Sequence, residues 1–289
     1  MSDPSAAPIV VGTDGSAPAE RAVAWAADDA ARRRRPLRIV HAIEQWVFDT
    51  PLGTPPGMRE SLTEAGLRIL AQAKTVAHER RPEVEVTTEL IEKGSGAGLC
   101  DQSRRAFEIV LGHRGLGGFT SLLLGSTGLR VAGHAHGPVV IVRGDHTAAG
   151  GDVTVGVDLP EVSVETLEYA FDAAGTRSGR LTIVYAWDLP TPLVAGDYVI
   201  DETAIERSAQ RSLTKTLEPW RKRYLDVEVI EKAVRGHPAS ALVDASEHAD
   251  LLVIGSHGRS RLGLVHLGSV AHGVVHHAHC PVAVVRPRT

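Results

Sequence analysis

The sequence predicts an α/β protein of two consecutive domains, each a doubly wound, five-stranded parallel sheet with helices on both faces. Three observations predict it. First, GHRGLGGFTSLLLGST at 112–127 returns as GSHGRSRLGLVHLGSV at 255–270, and both copies read G-x2-G-x9-G-S. The wider stretch 107–143 runs against 250–286 without a gap, so the chain carries an internal repeat. Second, short apolar runs alternate with longer stretches of helical period in each half. Third, 289 residues exceed one typical domain and suit two.

In the first half the apolar run 9–12 is a strand. Val23, Ala26, Ala27 and Ala30 follow at helical spacing, then a strand over 37–43. DTPLGTPPG is a Pro/Gly loop leading to a helix over 59–81 and the alternating strand VEVTTELI. A helix over 98–105, a strand over 108–111, the glycine motif, a helix from Ser126 and a strand over 139–143 complete the unit. The second half repeats the series. Its strand 153–157 precedes a helix carrying Val164, Leu167, Phe171 and Ala174, a strand over 181–187, and a helix over 204–224. A strand over 227–233, a helix over 239–247, a strand over 251–254, a helix from Ser269 and a strand over 282–286 then follow.

Parallel neighbours need crossover connections, which are usually helical. Right-handed crossovers then favour the Rossmann-like order 3-2-1-4-5 or a flavodoxin-like variant. Ligands of such sheets bind outside the carboxyl ends where the chain changes direction. In the first of these orders Asp14 and Gly112 meet there, as do Asp158 and Gly255. The small, Gly-rich segment GDHTAAGGD at 144–152 separates domains expected at 1–146 and 150–289.

Composition narrows the function. A net charge of -4 gives no electrostatic reason for nucleic acid or an anionic membrane as partner. The run Arg32 to Arg35 reads as a solvated helix C-terminus favoured by the dipole. No secretory signal and no run of 18 apolar residues occurs, so the expected location is cytoplasmic. Cys100 and Cys280 occupy non-equivalent places and form no framework, and Cys280 reads as a buried thiol. His272 and His276 have metal-ligand spacing, but no second strong pair accompanies them. With His266, His277 and His279 they read as surface or interface histidines that respond to pH.

The glycine motif answers a chemical need. Glycine lets backbone N–H groups approach a bulky anion without a Cβ in the way. A helix opening at Ser126 adds unpaired donors and the positive dipole end, and Ser126, Thr127 and Ser269 can add hydroxyl contacts. Glycines after a strand are also ordinary turn residues, and Ser or Thr at a helix start is an ordinary N-cap. Repetition at the switch point favours a phosphate loop. It is not of the Walker type, because no Gly-Lys pair occurs in the chain, and neither half carries G-x-G-x-x-G after its first strand.

On these residues the chain resembles tandem universal stress proteins of the nucleotide-binding type. VVGTDGS, Gly112, Gly115, Gly125, Ser126 and HGPVVIV carry the resemblance in the first half. VGVDLPE, Gly255, Gly258, Gly268, Ser269 and HCPVAVV carry it in the second. The resemblance implies ATP in each half, with or without magnesium, and a nucleotide-dependent role in a stress or dormancy response. It implies phosphates on Gly112, Gly115, Gly125, Ser126 and Thr127, with Asp14 and Gly15 near the ribose or a magnesium ion and the backbone around Ala42 beside the adenine. Gly255, Gly258, Gly268, Ser269, Asp158 and Ala186 take those places in the second half. It further implies an internal pseudo-dimer, able to form a homodimer, and a protein partner the sequence does not name. Leu159-Pro160-Glu161 after Asp158 departs from Gly15-Ser16, while Arg259 and Arg261 make the second loop the more cationic.

Two other functions compete. Asp14 or Asp158 could serve a slow ATPase as general base, though no arginine finger or water-orienting residue is evident. A ligase of the ATP pyrophosphatase type would want S-G-G-x-D-S after the first strand, which TDGS and VDLP do not supply. The other alternative is a nucleotide-free interaction module. The long loops 44–57 and 188–203, with Trp46 and Trp187 near their starts, read equally as lids over adenine or as sheet-edge packing.

Overall fold

The structure, a computed structural model, describes residues 7–44, 55–115, 124–144, 150–159, 161–188, 201–256 and 267–286. The chain divides into two compact units, one of residues 1–145 together with 286–289 and one of residues 146–285. The first contains β1 (Ile9–Gly12), α1 (Ala17–Arg33), β2 (Leu37–Ala42), α2 (Met58–Arg80) and β3 (Val86–Ile91). It continues with α3 (Ser95–Ser103), β4 (Glu108–Gly112), α4 (Ser126–His134) and β5 (Val139–Val142). Its strands lie in the order β3-β2-β1-β4-β5, all parallel.

The second unit contains β6 (Val153–Val157), α5 (Val164–Arg177), β7 (Leu181–Trp187), α6 (Glu202–Arg223) and β8 (Val229–Arg235). After them come α7 (Pro238–Ala245), β9 (Leu251–Gly255), α8 (Ser269–His277) and β10 (Val282–Val285). The order β8-β7-β6-β9-β10, again parallel, is the same 3-2-1-4-5 arrangement. In each unit a right-handed crossover places the first two helices on one face and the last two on the other.

The sequence explains most elements. β1, β4 and β9 are almost wholly apolar runs because helices cover both faces of a central parallel strand. β3 is an edge strand and leaves Thr87 and Thr88 exposed. Helix α1 starts at Ser16, whose Oγ accepts from the Ala19 N–H at 3.4 Å. Its alanines 19, 22, 26, 27 and 30 are buried and let the helix lie close to the sheet. It stops where Arg34 turns left-handed (φ 52°), before Pro36. In the second unit Phe171 of α5 stacks at 4.7 Å on Tyr224 and at 5.7 Å on Trp220, fastening α6.

Several boundaries differ from expectation, three of them with a visible cause. Helix α3 begins at Ser95 rather than 98, because a carboxylate from Glu44 receives the Ser95 N–H at 2.9 Å. Strand β8 begins at Val229 rather than 227, because the Val227 N–H closes a turn onto the Tyr224 carbonyl. Helix α7 ends at Ala245 and passes into a short 3-10 turn over Ser246–His248.

The Arg32 to Arg35 cluster is also not a solvated end. Only Arg34 is exposed. Arg33 pairs with the fully buried Asp29 at 2.5 Å, and the guanidinium groups of Arg33 and Arg35 lie 4.8 and 4.1 Å from the Phe107 ring centre. Guanidinium is weakly hydrated and planar, so stacking on an aromatic ring replaces water at little loss. Cys280 is buried and Cys100 half-buried, and neither forms a disulfide. Trp187 packs at the end of β7, 8% exposed, whereas Trp46 and most of both long loops lie outside the described residues.

Asp28 of α1 ties the helix layer together by receiving Arg80 at 2.8 Å and Arg81 at 2.7 Å from the end of α2. Its side chain is nearly buried while both arginines are part-exposed, so solvent screens the pairs and limits their worth. The change Asp28→Ala is expected to lower unfolding free energy by about 1–2 kcal/mol, read as a lower urea midpoint at unchanged slope.

Candidate functional site

Strand β1 ends in the turn Thr13-Asp14-Gly15-Ser16, whose geometry is built from its own polar atoms. Gly15 sits at φ 80°, a left-handed conformation that side chains rarely adopt. The Thr13 Oγ1 accepts from the Gly15 N–H at 3.2 Å, and the Asp14 Oδ1 from the Ser16 N–H at 3.0 Å. Asp14 is thereby oriented before any ligand arrives. Its other oxygen, Oδ2, faces the glycine loop: a Cβ added to Gly115 would overlap it. Asp14 and Gly115, 101 positions apart in sequence, thus adjoin at the carboxyl end of the sheet.

The x9 spacing has a structural meaning. The His113 N–H bonds the Val142 carbonyl at 3.1 Å, and the His113 carbonyl receives the Gly125 N–H at 2.9 Å. The two ends of the glycine loop are therefore fastened to each other beside β5. The second unit repeats both bonds, Ser256 to Val285 and Gly268 to Ser256, at 2.9 Å each.

The three glycines of the first motif do different work. A Cβ on Gly112 would lie 2.6 Å from the Pro18 carbonyl oxygen, so this glycine admits the first turn of α1 against β4. Gly115 lets the Asp14 carboxylate lie against the loop backbone. Around Gly125 the nearest atoms stand 3.8 Å from a Cβ position, and its φ of -71° is ordinary, so packing does not require glycine there. Gly125 is the N-cap of α4 and has no side chain to cap it; Gly268 holds the same place before α8. Ser126 and Ser269 are the first helical residues rather than caps. The first-turn N–H groups of both helices therefore lack a side-chain cap, which leaves the positive dipole end to an anion.

Beside this turn lies a mostly apolar cleft of about 280 Å³ between β2 and α2, with Ala42, Glu44, Leu62, Gly66 and Ile69 in its wall. Ile69 also lies under Gly15, 3.3 Å from a Cβ position there, which joins the cleft to the Asp14 turn. His41 lines the cleft too and donates from Nδ1 to the Thr13 carbonyl at 2.8 Å, since a carbonyl can only accept. Thr127 does not point its hydroxyl into an isolated loop; its Oγ1 lies 3.0 Å from the Ser95 Oγ at the start of α3.

The second unit keeps the backbone and changes the side chains. Gly156 approaches Leu242 as Gly12 approaches Leu99. Gly255 ends β9 and Ala186 lies in β7, as Gly112 and Ala42 do in β4 and β2. Leu159, after Asp158, is buried where the first unit has exposed Gly15. Pro238 and Val270 replace the paired hydroxyls of Ser95 and Thr127. Gly258, Arg259, Arg261, Pro160 and His266 lie outside the described residues. Rings of His272 and His276 stand 4.5 Å apart, but among the described residues no group of three or more His, Cys, Asp or Glu could hold a metal ion.

His113, Glu44 and Ser95 were not singled out by the sequence. His113 lies inside the glycine motif, so its place was visible though its burial was not. Burial first, then the positive charges of Arg143 and Arg114, push its pKa below the ordinary 6.5, against a 3.3 Å bond from Nδ1 to the Val142 carbonyl. Glu44 and Ser95 carried no signal, because their meeting depends on the pairing of β2 with β3.

Two expectations follow from this geometry. Gly112→Ala should destabilise the chain by about 1–3 kcal/mol through overpacking, and Gly125→Ala by less than about 1 kcal/mol, compared by urea denaturation. His113 should titrate below 6.5 by NMR. The unfolded chain then binds this proton more readily than the folded one, so stability falls as pH drops through 6.5 toward the folded value. His113→Gln should flatten that part of the stability profile.

Comparison with known proteins agrees with the fold and the tandem repeat. The universal stress protein family model matches residues 6–143 and again 151–286. A universal stress protein of Mycolicibacterium smegmatis is 35% identical over 293 residues, covering 97% of each chain. One of Mycobacterium tuberculosis is 34% identical over 302 residues, covering 96% of this chain and 94% of its own. The crystal structure of a universal stress protein from Archaeoglobus fulgidus superposes with a TM-score of 0.70 at 20% identity, covering 98% of this chain and 99% of that one. Two matches of one family model and full-length relatives above 30% identity place the chain in the universal stress protein family, as a tandem member.

Proposed function

We propose that the first unit binds ATP and that its occupancy is a regulatory signal in a stress response. The observation that carries the reading is the convergence of Asp14, the Gly115 backbone lying against its carboxylate and the uncapped start of α4. A triphosphate fits this donor set. Backbone N–H groups and a helix N-terminus favour an anion by about 0.3–1 kcal/mol when exposed and up to about 2 kcal/mol when partly buried. Gly115, Gly125, Ser126 and Thr127 would hold the phosphates, Asp14 would face the ribose or a magnesium ion, and the cleft at Ala42 would receive the base. Gly112 serves the site indirectly, by seating α1.

The second unit is the weaker site in this reading. Asp158, Ala186, Gly255, Gly258, Gly268 and Ser269 supply the same backbone pattern, but buried Leu159 and the absent Ser95–Thr127 hydroxyl pair distinguish it. The role assigned to ATP is binding. Nucleotide would order the phosphate loop and a protein partner would read that order, in the cytoplasm. Among the described residues no helix is long and apolar enough to cross a membrane.

The test is to denature protein purified without added nucleotide and quantify released adenine nucleotide by chromatography and mass spectrometry. About one ATP per chain is expected. Gly115→Val should weaken Mg-ATP binding at least about tenfold by calorimetry, because the side chain displaces Asp14. Unchanged affinity would remove the motif from the function, and magnesium-dependent turnover lost in the same variant would favour a slow ATPase instead.

A further inference from the structure

The start of α3 and the start of α7 occupy equivalent places in the two units, yet they are capped differently. In the second unit the cap is local: His237 accepts the Ala239 N–H through Nδ1 at 3.3 Å. In the first unit Gly94 stands at that place and offers no side chain. The acceptor comes instead from Glu44, 51 residues away, just past the end of β2. An adjacent side chain suffices for capping, as His237 demonstrates. Capping alone therefore does not account for a carboxylate brought to the cleft.

Glu44 is part of the cleft wall, beside Ala42 and His41. Its Oε1 is engaged by the Ser95 N–H, and among the described residues Oε2 accepts no hydrogen bond. His41 commits its Nδ1 to the Thr13 carbonyl. A carboxylate acceptor thus stands in a mostly apolar wall. The volume, about 280 Å³, suits a heteroaromatic base rather than a whole nucleotide, since sites for drug-sized ligands run from about 300 to 1,000 Å³.

We propose that Glu44 is the specificity-determining residue of the base site and selects a purine with a 6-amino group over one with a 6-oxo group. The inference rests on the reading of the first unit as a nucleotide site. A 6-amino group donates to the free carboxylate oxygen. A 6-oxo group sets one lone pair against another at that position, and the base must shift to bring its N1–H to the carboxylate instead. The same residue anchors α3, whose Ser95 hydroxyl meets Thr127 on the first turn of α4, so the base-reading group is connected by hydrogen bonds to the phosphate end.

The experiment compares Mg-ATP with Mg-ITP by calorimetry on the full chain. ITP replaces the 6-amino group by oxygen and leaves ribose and phosphates unchanged. The wild-type chain is expected to prefer ATP at least about tenfold, as for a hydrogen bond to a charged acceptor. Glu44→Gln retains a carbonyl oxygen for the Ser95 N–H while its amide can donate to a 6-oxo group. The preference should fall to about one or reverse, with ITP bound as well as or better than before. Thermal denaturation of Glu44→Gln and Glu44→Ala reports loss of the α3 cap separately. A Glu44→Gln chain that keeps the wild-type ATP preference overturns the proposal. If wild-type protein binds both nucleotides equally and Gly115→Val abolishes both, the nucleotide reading stands and the role of Glu44 is wrong. If wild-type protein binds neither, both fall.

Discussion

The site depends on one close approach: the first turn of α1 lies against the end of β4 at Gly112. No side chain larger than hydrogen fits between that strand and the Pro18 carbonyl. The approach brings the end of β1 and the end of β4 together, and with them the Asp14 turn and Gly115. Ser16 caps the same turn of α1 and Gly15 supplies its left-handed step, so the helix start and the placement of Asp14 are one construction. A bulkier residue at 112 would move α1 outward and carry Asp14 with it. Packing and site geometry are inseparable here, and a loss of ligand on mutation of Gly112 has a structural cause.

The two units show which parts of this construction belong to the backbone and which to side chains. The loop-fastening bonds at His113 and Ser256, the helix-capping glycines 125 and 268, and the glycine-leucine contacts at 12 and 156 recur in both. These arise from backbone atoms and from missing side chains. The polar details differ: Glu44 caps a helix in one unit and His237 in the other, and a hydroxyl pair gives way to Pro238 and Val270. The fold needs only the backbone set. A particular ligand needs the side chains, and it is on these that the units part.

Charge placement in the first unit follows the same division. Asp28, Asp29, Arg33, Arg35, Arg80 and Arg81 gather around α1, where arginines pair with nearly buried carboxylates or stack on Phe107. These residues lie away from the carboxyl ends of the strands and hold helices together. At the carboxyl ends, by contrast, Asp14 and Glu44 each give one oxygen to a backbone N–H at a turn or helix start. A carboxylate fixed in this way has its orientation set by the backbone.

The sequence by itself determined the doubly wound parallel architecture, the tandem repeat and the positions of the glycine motifs, and it narrowed the strand order to 3-2-1-4-5 or a flavodoxin-like variant. These rest on period, on the need for crossovers and on the absence of a Cβ, all properties of residues near one another in the chain. It also named Asp14, Gly15, Gly115 and Gly125, because the switch-point rule places the ends of the first and fourth strands side by side. Only the tertiary structure decided that Gly112 seats a helix, that Gly125 rather than Ser126 is the cap, that Arg33 and Arg35 stack on Phe107, and that Glu44 reaches Ser95. The reason is physical. Each of these turns on distances between segments that only packing brings together, and no local pattern encodes the partner of a side chain many residues away.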